Sequence, residues 1–271
     1  MNDPTLWQSV VLGALQGFAE FLPISSSAHL SLAPWAFGWE EPGLAFDVAL
    51  HVGTLVAVLS YFRREWIAML RAAGSIVATR EVRSVEQRRV MLLIAATVPG
   101  ALAGLLLEKQ AETIFRVPAL TAAALIVMGA VLWWVDARAS RTRSLESLLA
   151  RDAWLIGIAQ AFALVPGVSR SGATITAGRA LGFDRSGAAV FSFMMSMPII
   201  AAAAVLKVPR ALAAHGITTS LLIGVATAAL TGWIAIAVLL RFVRTRGYGV
   251  FAVYRLVLGA AVLALAWSRA A

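Results

Sequence analysis

Six apolar stretches, each about as long as a bilayer is thick, constrain the fold of this chain more than any other feature. They cover residues 45–62, 90–107, 119–135, 187–206, 218–240 and 249–267. A helix needs roughly 20 mostly apolar residues to cross a hydrocarbon core. The composition agrees, because 14% of the residues are charged, whereas soluble domains carry about 25%. We therefore predict an all-α integral membrane protein in which residues 1–271 form a single membrane domain.

The basic residues cluster in the connections between these stretches. Residues 63–89, 136–152 and those after residue 240 are rich in arginine, whereas residues 108–118 and 207–217 hold few basic side chains. Cytoplasmic loops carry more Lys and Arg than outer loops do, so we place the first group in the cytoplasm. The net charge of +9 thus reflects topology, and we expect no nucleic-acid partner. The absence of cysteine excludes disulfides and thiolate metal sites.

Two stretches, roughly 5–42 and 153–186, begin as apolar sequence and are then broken by Pro, Gly and Ser. To agree with the loop charges, residues 153–186 must enter the membrane and return to the same face, and residues 5–42 do the same from the other face if the N-terminus lies outside. A shift of 144 residues superposes six identical residues within fifteen positions. The pairs are Gly13/Gly157, Gln16/Gln160, Phe18/Phe162, Ala19/Ala163, Ser25/Ser169 and Ser27/Ser171. We predict about six transmembrane helices plus two re-entrant helix-loop-helix segments in an inverted-topology repeat, with halves of approximately 1–135 and 136–271.

The first broken stretch carries polar side chains that are costly inside a membrane. Gln16 and Glu20 are four residues apart, so a helix places them on one face. Ser25, Ser26 and Ser27 follow Pro23 near a new helix start, where free backbone N–H groups favour an anion. His29 comes three residues after Ser26, within reach of its proton on a helix. Two plainer explanations remain: such serines are often only N-caps, and a single histidine is more often a structural hydrogen-bonding group.

The second broken stretch supplies a cation where the first has a hydroxyl. Arg170 occupies the position equivalent to Ser26, and arginine is the preferred bidentate partner of phosphate oxygens. It is flanked by Ser169, Ser171, Gly172 and Thr174. The repeat therefore predicts one composite site, with carboxylate, hydroxyl and imidazole on one arm and guanidinium on the other. The alternative is a structural salt bridge between Arg170 and Glu20.

Three further polar pairs carry weaker signals. Asp47 and His51, four residues apart, line the cavity or face neighbouring helices. We expect Arg179 and Arg185 to anchor the second unit at the cytoplasmic interface. We expect Tyr254 and Arg255 to snorkel at the inner boundary.

These motifs resemble those of the undecaprenyl-diphosphate phosphatase family, also called the bacitracin-resistance family. Its (E/Q)xxxE element corresponds to Gln16–Glu20, its FLP-hydrophobic-SS-(S/T)-x-H element to Phe21–His29, and its PG-x-SRSG-(A/S)-T element to Pro166–Thr174. Further resemblance lies in residues 46–58, 191–198 and 254–260. Two positions depart from the common pattern. Gln16 is Glu in some members, which removes one charge from a metal site, and Ala28 stands where glycine is common.

The resemblance implies a membrane enzyme that hydrolyses a polyprenyl diphosphate lipid to the monophosphate and inorganic phosphate, recycling the lipid carrier of the bacterial envelope. It implies Glu20, Ser26, His29 and Arg170 as catalytic residues, with Ser26 the preferred nucleophile and His29 its proton partner or rival. It implies a divalent metal, Mg or Ca, on Gln16 and Glu20. The substrate-binding residues would be Ser25, Ser27, Ser169, Ser171, Gly172 and Thr174.

The same resemblance implies a location in the bacterial plasma membrane, with the active site open to the outer, periplasmic side; a homodimer is left open. The competing function is a polyprenyl-phosphate transporter or flippase, since inverted repeats with broken helices are also transporter architecture.

Overall fold

The structure, a computed structural model, describes residues 4–107 and 117–270. Within these residues the chain is helical, apart from turns, two short 3₁₀ segments and one isolated bridge between Arg143 and Phe183. The helices are α1 (Leu6–Phe21), α2 (Ser26–Phe37), α3 (Leu44–Tyr61), α4 (Arg63–Thr79), α5 (Val85–Leu106), α6 (Pro118–Arg138), α7 (Ala150–Ala161), α8 (Arg170–Ala180), α9 (Arg185–His215), α10 (Thr219–Val243) and α11 (Gly249–Ala270). Most of the predicted outer connection 108–118 lies outside the described residues.

The predicted all-α membrane architecture is confirmed. In the described ranges, α5, α6, α9, α10 and α11 are each long and apolar enough to cross a membrane. The segment predicted at 45–62 forms α3, which bends by 86° into α4 and gives a sixth span if the bent pair is counted as one.

The connection predicted at 63–89 is not a simple loop, because most of it forms helix α4. Trp66, Met69 and Ala72 recur every three residues and are buried, while Arg64 and Arg71 on the other side are exposed. This is the pattern of an amphipathic helix that packs one face against its neighbours. The arginines of this segment indicate a connection between spans, but they do not indicate the apolar face of α4.

Both re-entrant segments are broken where the sequence predicts. The first consists of α1 and α2, and the second of α7 and α8. The second helix of each segment, α2 or α8, begins at an equivalent residue, Ser26 or Arg170. Their N-caps match as well: Ser25 has φ 77° and Ser169 has φ 71°. Each cap hydroxyl accepts a backbone N–H three residues later, from Ala28 or Gly172.

The repeat extends to the packing of α1 and α7, the first helix of each segment. A Cβ added to Gly13 would lie 2.4 Å from the carbonyl oxygen of Gly224 in α10, and one added to Gly157 would lie 2.4 Å from that of Ala96 in α5. The paired glycines therefore allow α1 and α7 the same close backbone approach to a long helix. The division of the chain into halves at residue 135 stays a prediction.

A buried ionic cluster joins the ends of four helices. Asp136 at the end of α6 accepts hydrogen bonds from Arg179 Nε at 3.0 Å and Arg185 Nη2 at 2.6 Å. Its carboxylate also accepts the backbone N–H of Tyr248 at 3.0 Å. Arg179 is 0% exposed, so it anchors α8 through Asp136 inside the protein and does not reach out to a membrane interface.

Candidate active site

The carboxylate of Glu20 is the centre of the candidate site. The chain turns at residues 22–24, which brings the last turn of α1 to the first residue of α2. Ser26 Oγ therefore donates a hydrogen bond to Glu20 Oε2 at 2.7 Å. Gln16 Nε2, one turn earlier on α1, donates to the same oxygen at 3.1 Å. Glu20 is 6% exposed, so these contacts are made inside the protein.

Arg170 brings the second re-entrant segment to the same carboxylate. Its Nη2 donates to Glu20 Oε1 at 3.1 Å, and its Nη1 donates to the carbonyl oxygen of Ser192 in α9 at 2.8 Å. The guanidinium is thus fixed at two points before any ligand binds. The ion pair that the plainer interpretation proposed exists, but it lies on the wall of a cavity.

His51, for which the sequence carries only a weak signal, lies beside the carboxylate of Glu20. Its Nε2 lies 3.6 Å from Glu20 Oε2. Its Nδ1 is 2.7 Å from the carbonyl oxygen of Asp47, which only accepts, so Nδ1 is the donor of that bond. Nε2 therefore faces the site. It offers a lone pair when the ring is neutral and an N–H donor when the ring is protonated. The four-residue spacing between Asp47 and His51 was the sequence signal for this residue. Its contact with Glu20 of α1, however, depends on how α3 packs.

The expected contact between Ser26 and His29 is wrong. His29 Nδ1 is 2.7 Å from the carbonyl oxygen of Ser25, and Nε2 is 2.6 Å from the hydroxyl of Tyr254 in α11. Both ring nitrogens are therefore engaged elsewhere, while the Ser26 hydroxyl points back to Glu20. His29 lines a different cavity, next to Leu32 and Leu258. The spacing of three residues was right for a helix, but Ser26 is its first residue and turns towards α1.

The serines of the two breaks hold the two re-entrant segments together. Ser25 Oγ accepts the backbone N–H of Gly167 at 3.1 Å, and Ser171 Oγ donates to the carbonyl oxygen of Leu22 at 3.1 Å. Ser25 and Ser169 are two of the three non-glycine residues with positive φ in the described ranges. Such backbone costs of order 1–3 kcal/mol and tends to occur at functional sites.

Arg255 does not snorkel, because it is 0% exposed. Its Nη1 donates to the carbonyl oxygen of Pro23 at 3.2 Å, and its Nη2 donates to those of Gly167 at 2.6 Å and Val168 at 2.9 Å. A broken helix leaves carbonyl groups without intrahelical partners, and Arg255 satisfies them in both segments at once. The sequence predicted that Arg255 snorkels at the inner boundary, whereas its hydrogen bonds fix the geometry of the two breaks.

These groups surround a cavity of about 240 Å³. Its polar wall is formed by Glu20, Ser25, Ser26, Ser27, His51, Ser169 and Arg170. Its apolar wall is formed by Val48, Ala163, Ile199, Ile200 and Ala203. A cavity lined by both charged and apolar side chains fits a ligand with an anionic head and a hydrocarbon chain.

Comparison with known proteins identifies the family. The model for "Bacitracin resistance protein BacA" matches residues 9–261. The chain belongs to this family. A relative from Gemmatimonas aurantiaca, named undecaprenyl-diphosphatase, is 57% identical over 98% of this chain and 99% of its own length. Proteins of the same name from Pelotomaculum thermopropionicum and Moorella thermoacetica are each 49% identical over 98% of this chain, and 98% and 99% of their own lengths are covered.

The residues expected to bind substrate divide into two groups. Ser25, Ser27 and Ser169 lie on the cavity wall together with Glu20, Ser26 and Arg170. The other three are used in packing. Thr174 Oγ1 is 2.7 Å from the hydroxyl of Ser192, Ser171 bonds Leu22 as described, and a Cβ at Gly172 would lie 2.6 Å from Arg255 Nη1. The family resemblance implied that these three bind substrate, but α8 turns them towards the protein.

The metal that the family resemblance implies fits two of the residues present. Gln16 Oε1 is buried and has no hydrogen-bond partner within the described residues, and the Glu20 carboxylate lies one helical turn away. In those ranges no group of three or more His, Cys, Asp or Glu side chains is arranged to hold a metal. Mg²⁺ is commonly held by one or two carboxylates together with substrate phosphates. The donors therefore suit a metal that binds together with a diphosphate.

Proposed function

We propose that this protein hydrolyses undecaprenyl diphosphate, or a similar polyprenyl diphosphate, to the monophosphate and inorganic phosphate. The observation that carries the proposal is the contact of one carboxylate, Glu20, with both the Ser26 hydroxyl and the Arg170 guanidinium on the wall of the cavity. The name of the 49–57% identical relatives supports it. The reaction regenerates the monophosphate lipid carrier of the cell envelope.

In the proposed first step, Ser26 is the nucleophile and Glu20 its general base. Glu20 takes the proton of the Ser26 hydroxyl, and Oγ attacks the terminal phosphorus of the diphosphate. The bond from that phosphorus to the bridging oxygen breaks, and the bridging oxygen leaves with the electron pair as part of the lipid monophosphate, taking the proton from Glu20. The 2.7 Å contact is the geometry that this proton transfer needs.

In the second step, water replaces the lipid at phosphoserine 26. Glu20, again a carboxylate, takes a proton from the water as its oxygen attacks phosphorus. The bond between phosphorus and Oγ breaks, Glu20 returns the proton to Oγ, and inorganic phosphate leaves. The His51 ring lies 3.6 Å from Glu20 Oε2, the same oxygen that Ser26 contacts.

Arg170 neutralises the charge that builds up on the phosphate oxygens. Its orientation is already fixed by Ser192, and preorganised donors contribute most to stabilising a transition state. Its Nε is buried without a partner in the described part of the chain, so a phosphate oxygen would satisfy this donor as well. Arginine suits this position because its planar fork matches phosphate geometry.

We further propose that Gln16 and Glu20 hold Mg²⁺ or Ca²⁺ together with oxygens of the diphosphate. The ion would act as a Lewis acid that neutralises charge on the diphosphate. In this arrangement Glu20 moves the proton and Arg170 binds the terminal phosphate.

The site is proposed to open towards the outer side of the bacterial plasma membrane. Val48 and His51 lie in the first half of α3, and Ala203 lies in the second half of α9. The arginine distribution favours an outer position for these halves of both helices. A lipid carrier in the outer leaflet would then reach the cavity from the side.

The decisive assay uses purified protein in detergent with undecaprenyl diphosphate and Mg²⁺, with phosphate release and lipid binding measured on the same sample. Stoichiometric release of phosphate is expected from the wild type, and none above background from Arg170→Ala. If the lipid binds and no phosphate appears, the protein is a transporter or lipid-binding protein and the hydrolase function is wrong.

A further inference from the structure

Two adjoining spaces on the arginine-rich side of the protein have the form of a phospholipid site, and we propose that they bind an anionic diacyl phospholipid such as phosphatidylglycerol. The first, called the head cavity below, measures about 300 Å³ and is lined chiefly by Arg88, Arg89, Leu93, Glu146 and Phe191. The second, called the chain groove, measures about 270 Å³ and is lined chiefly by Met69, Leu93, Ile94, Ala101 and Met197. Among the described residues neither space shares a lining residue with the Glu20 cavity, so this site is separate from the proposed hydrolysis.

The rim of the head cavity carries the cations that a phosphate group needs. Arg88 and Arg89 are consecutive near the start of α5, and both are exposed. Arg88 Nη2 donates to the carbonyl oxygen of Leu148 at 3.0 Å, which holds this guanidinium at the cavity. A guanidinium has five N–H donors, and this bond uses one of them. The two arginines therefore offer a phosphate several donors from neighbouring positions on one helix.

Glu146 determines which anionic headgroup fits. It belongs to the short 3₁₀ turn Leu145–Ser147 and lines the same cavity. Two guanidinium charges and one carboxylate charge sum to +1 on this rim, which matches the single negative charge of a phosphodiester. The carboxylate only accepts hydrogen bonds. The glycerol hydroxyls of phosphatidylglycerol can donate to it, whereas the choline of phosphatidylcholine has no O–H or N–H to offer.

The chain groove continues the head cavity along α5. The two spaces share Met69 and Leu93. From Arg89 in the head cavity to Ala101 in the groove, α5 advances twelve residues, roughly 18 Å of helix. One leaflet of a hydrocarbon core is about 15 Å thick. The path therefore suits the acyl chain of a lipid that resides in one leaflet, and it is too short for the whole of an extended undecaprenyl chain.

The selectivity of this site comes from its arginines. Surrounding lipid is as apolar as the lining of the chain groove, so contact with hydrocarbon alone would favour no particular lipid. The arginine distribution assigns the first turns of α5 to the cytoplasmic side. Basic pockets between spanning helices on that side bind anionic lipid headgroups. The groove then holds one chain of a lipid that the head cavity has selected.

The test titrates purified protein in detergent with phosphatidylglycerol and measures bound lipid by native mass spectrometry. We expect the double variant Arg88→Gln, Arg89→Gln to raise the Kd roughly thirtyfold, about fivefold for each arginine at an anionic lipid surface. The matched control is the double variant Arg63→Gln, Arg64→Gln. It removes the same two charges from consecutive exposed arginines of α4 that line neither space, and we expect the wild-type Kd.

Arg89→Glu is the second variant, in case loss of the bond between Arg88 and Leu148 unfolds the first. It keeps that bond, and we expect the Kd to rise about fivefold or more. Wild-type protein should bind phosphatidylcholine roughly tenfold more weakly than phosphatidylglycerol. Equal affinity for these two lipids, or equal affinity for phosphatidylglycerol in the Arg88/Arg89 and Arg63/Arg64 variants, would overturn the inference.

Two competitors distinguish a phospholipid from other sources of the same phosphate chemistry. Glycerol 3-phosphate, a head without chains, should not displace phosphatidylglycerol even at millimolar concentration; displacement would mean a site for small anions. Undecaprenyl monophosphate at an equimolar concentration should not displace it either. Displacement by that lipid would assign both spaces to a polyprenyl chain and overturn the proposed phospholipid.

Discussion

Replacing Glu20 with glutamine removes the proton acceptor and keeps the shape of the site. The amide oxygen can still accept a hydrogen bond from Ser26 or Arg170, which hold the two carboxylate oxygens at 2.7 and 3.1 Å. The amide, however, cannot take a proton from the serine. Loss of a general base costs about 10²–10⁴ in rate, or about 3–5 kcal/mol of transition-state stabilisation. Weaker metal binding would lower the rate further.

The assay for Glu20→Gln is the initial rate of phosphate release at saturating undecaprenyl diphosphate and Mg²⁺. Glu65→Gln is the matched control, since Glu65 on α4 makes the same chemical change at an exposed position, and we expect it to keep the wild-type rate. Size-exclusion chromatography in detergent checks that both variants are folded. A folded Glu20→Gln protein that retains more than about a tenth of the wild-type rate would refute the assignment of Glu20 as base.

Three other substitutions separate the functions of the remaining groups. Arg170→Lys keeps the charge but loses the fork between Glu20 and Ser192, and we expect phosphate release to fall about 100-fold, the cost of one or two charged hydrogen bonds; a rate within threefold of wild type would contradict this. His29→Asn should lower the rate less than tenfold, because His29 bonds Ser25 and Tyr254; a loss as large as that of Glu20→Gln would restore His29 to the mechanism. Asp136→Asn leaves two arginines without their anion, and we expect a loss of about 3–5 kcal/mol in stability, visible as a lower Tm in detergent and refuted by an unchanged one.

The parts of the fold that follow from local composition could be predicted from the sequence. Apolar length predicts the spanning helices, and the shift that pairs Ser25 with Ser169 predicts two similar breaks. The matching positive φ values of these two serines show how far the similarity extends. Helix α4 was not predicted, because its arginines indicated a loop although Trp66 and Met69 follow a helical spacing.

The contacts of the site depend on packing between distant segments, and here local patterns were a poorer guide. The Glu20–Arg170 pair could be predicted, because charged residues inside a membrane usually pair with an opposite charge. His51 reaches Glu20 only because α3 packs beside α1, and Arg255 reaches Pro23 and Gly167 from the far end of the chain. Spacing along one helix cannot predict such contacts. It was also wrong for His29, whose partner Tyr254 is 225 residues away.

Identifying the residue that carries phosphate during turnover tests directly whether Ser26 is the nucleophile. Wild-type protein is mixed with undecaprenyl diphosphate and Mg²⁺, quenched within one turnover at pH values that preserve either phosphoserine or phosphohistidine, and digested for mass spectrometry. We expect phosphate on Ser26, no phosphate on His29, and no phosphate release from Ser26→Ala. Phosphate on His29, or a wild-type rate in Ser26→Ala, would contradict it.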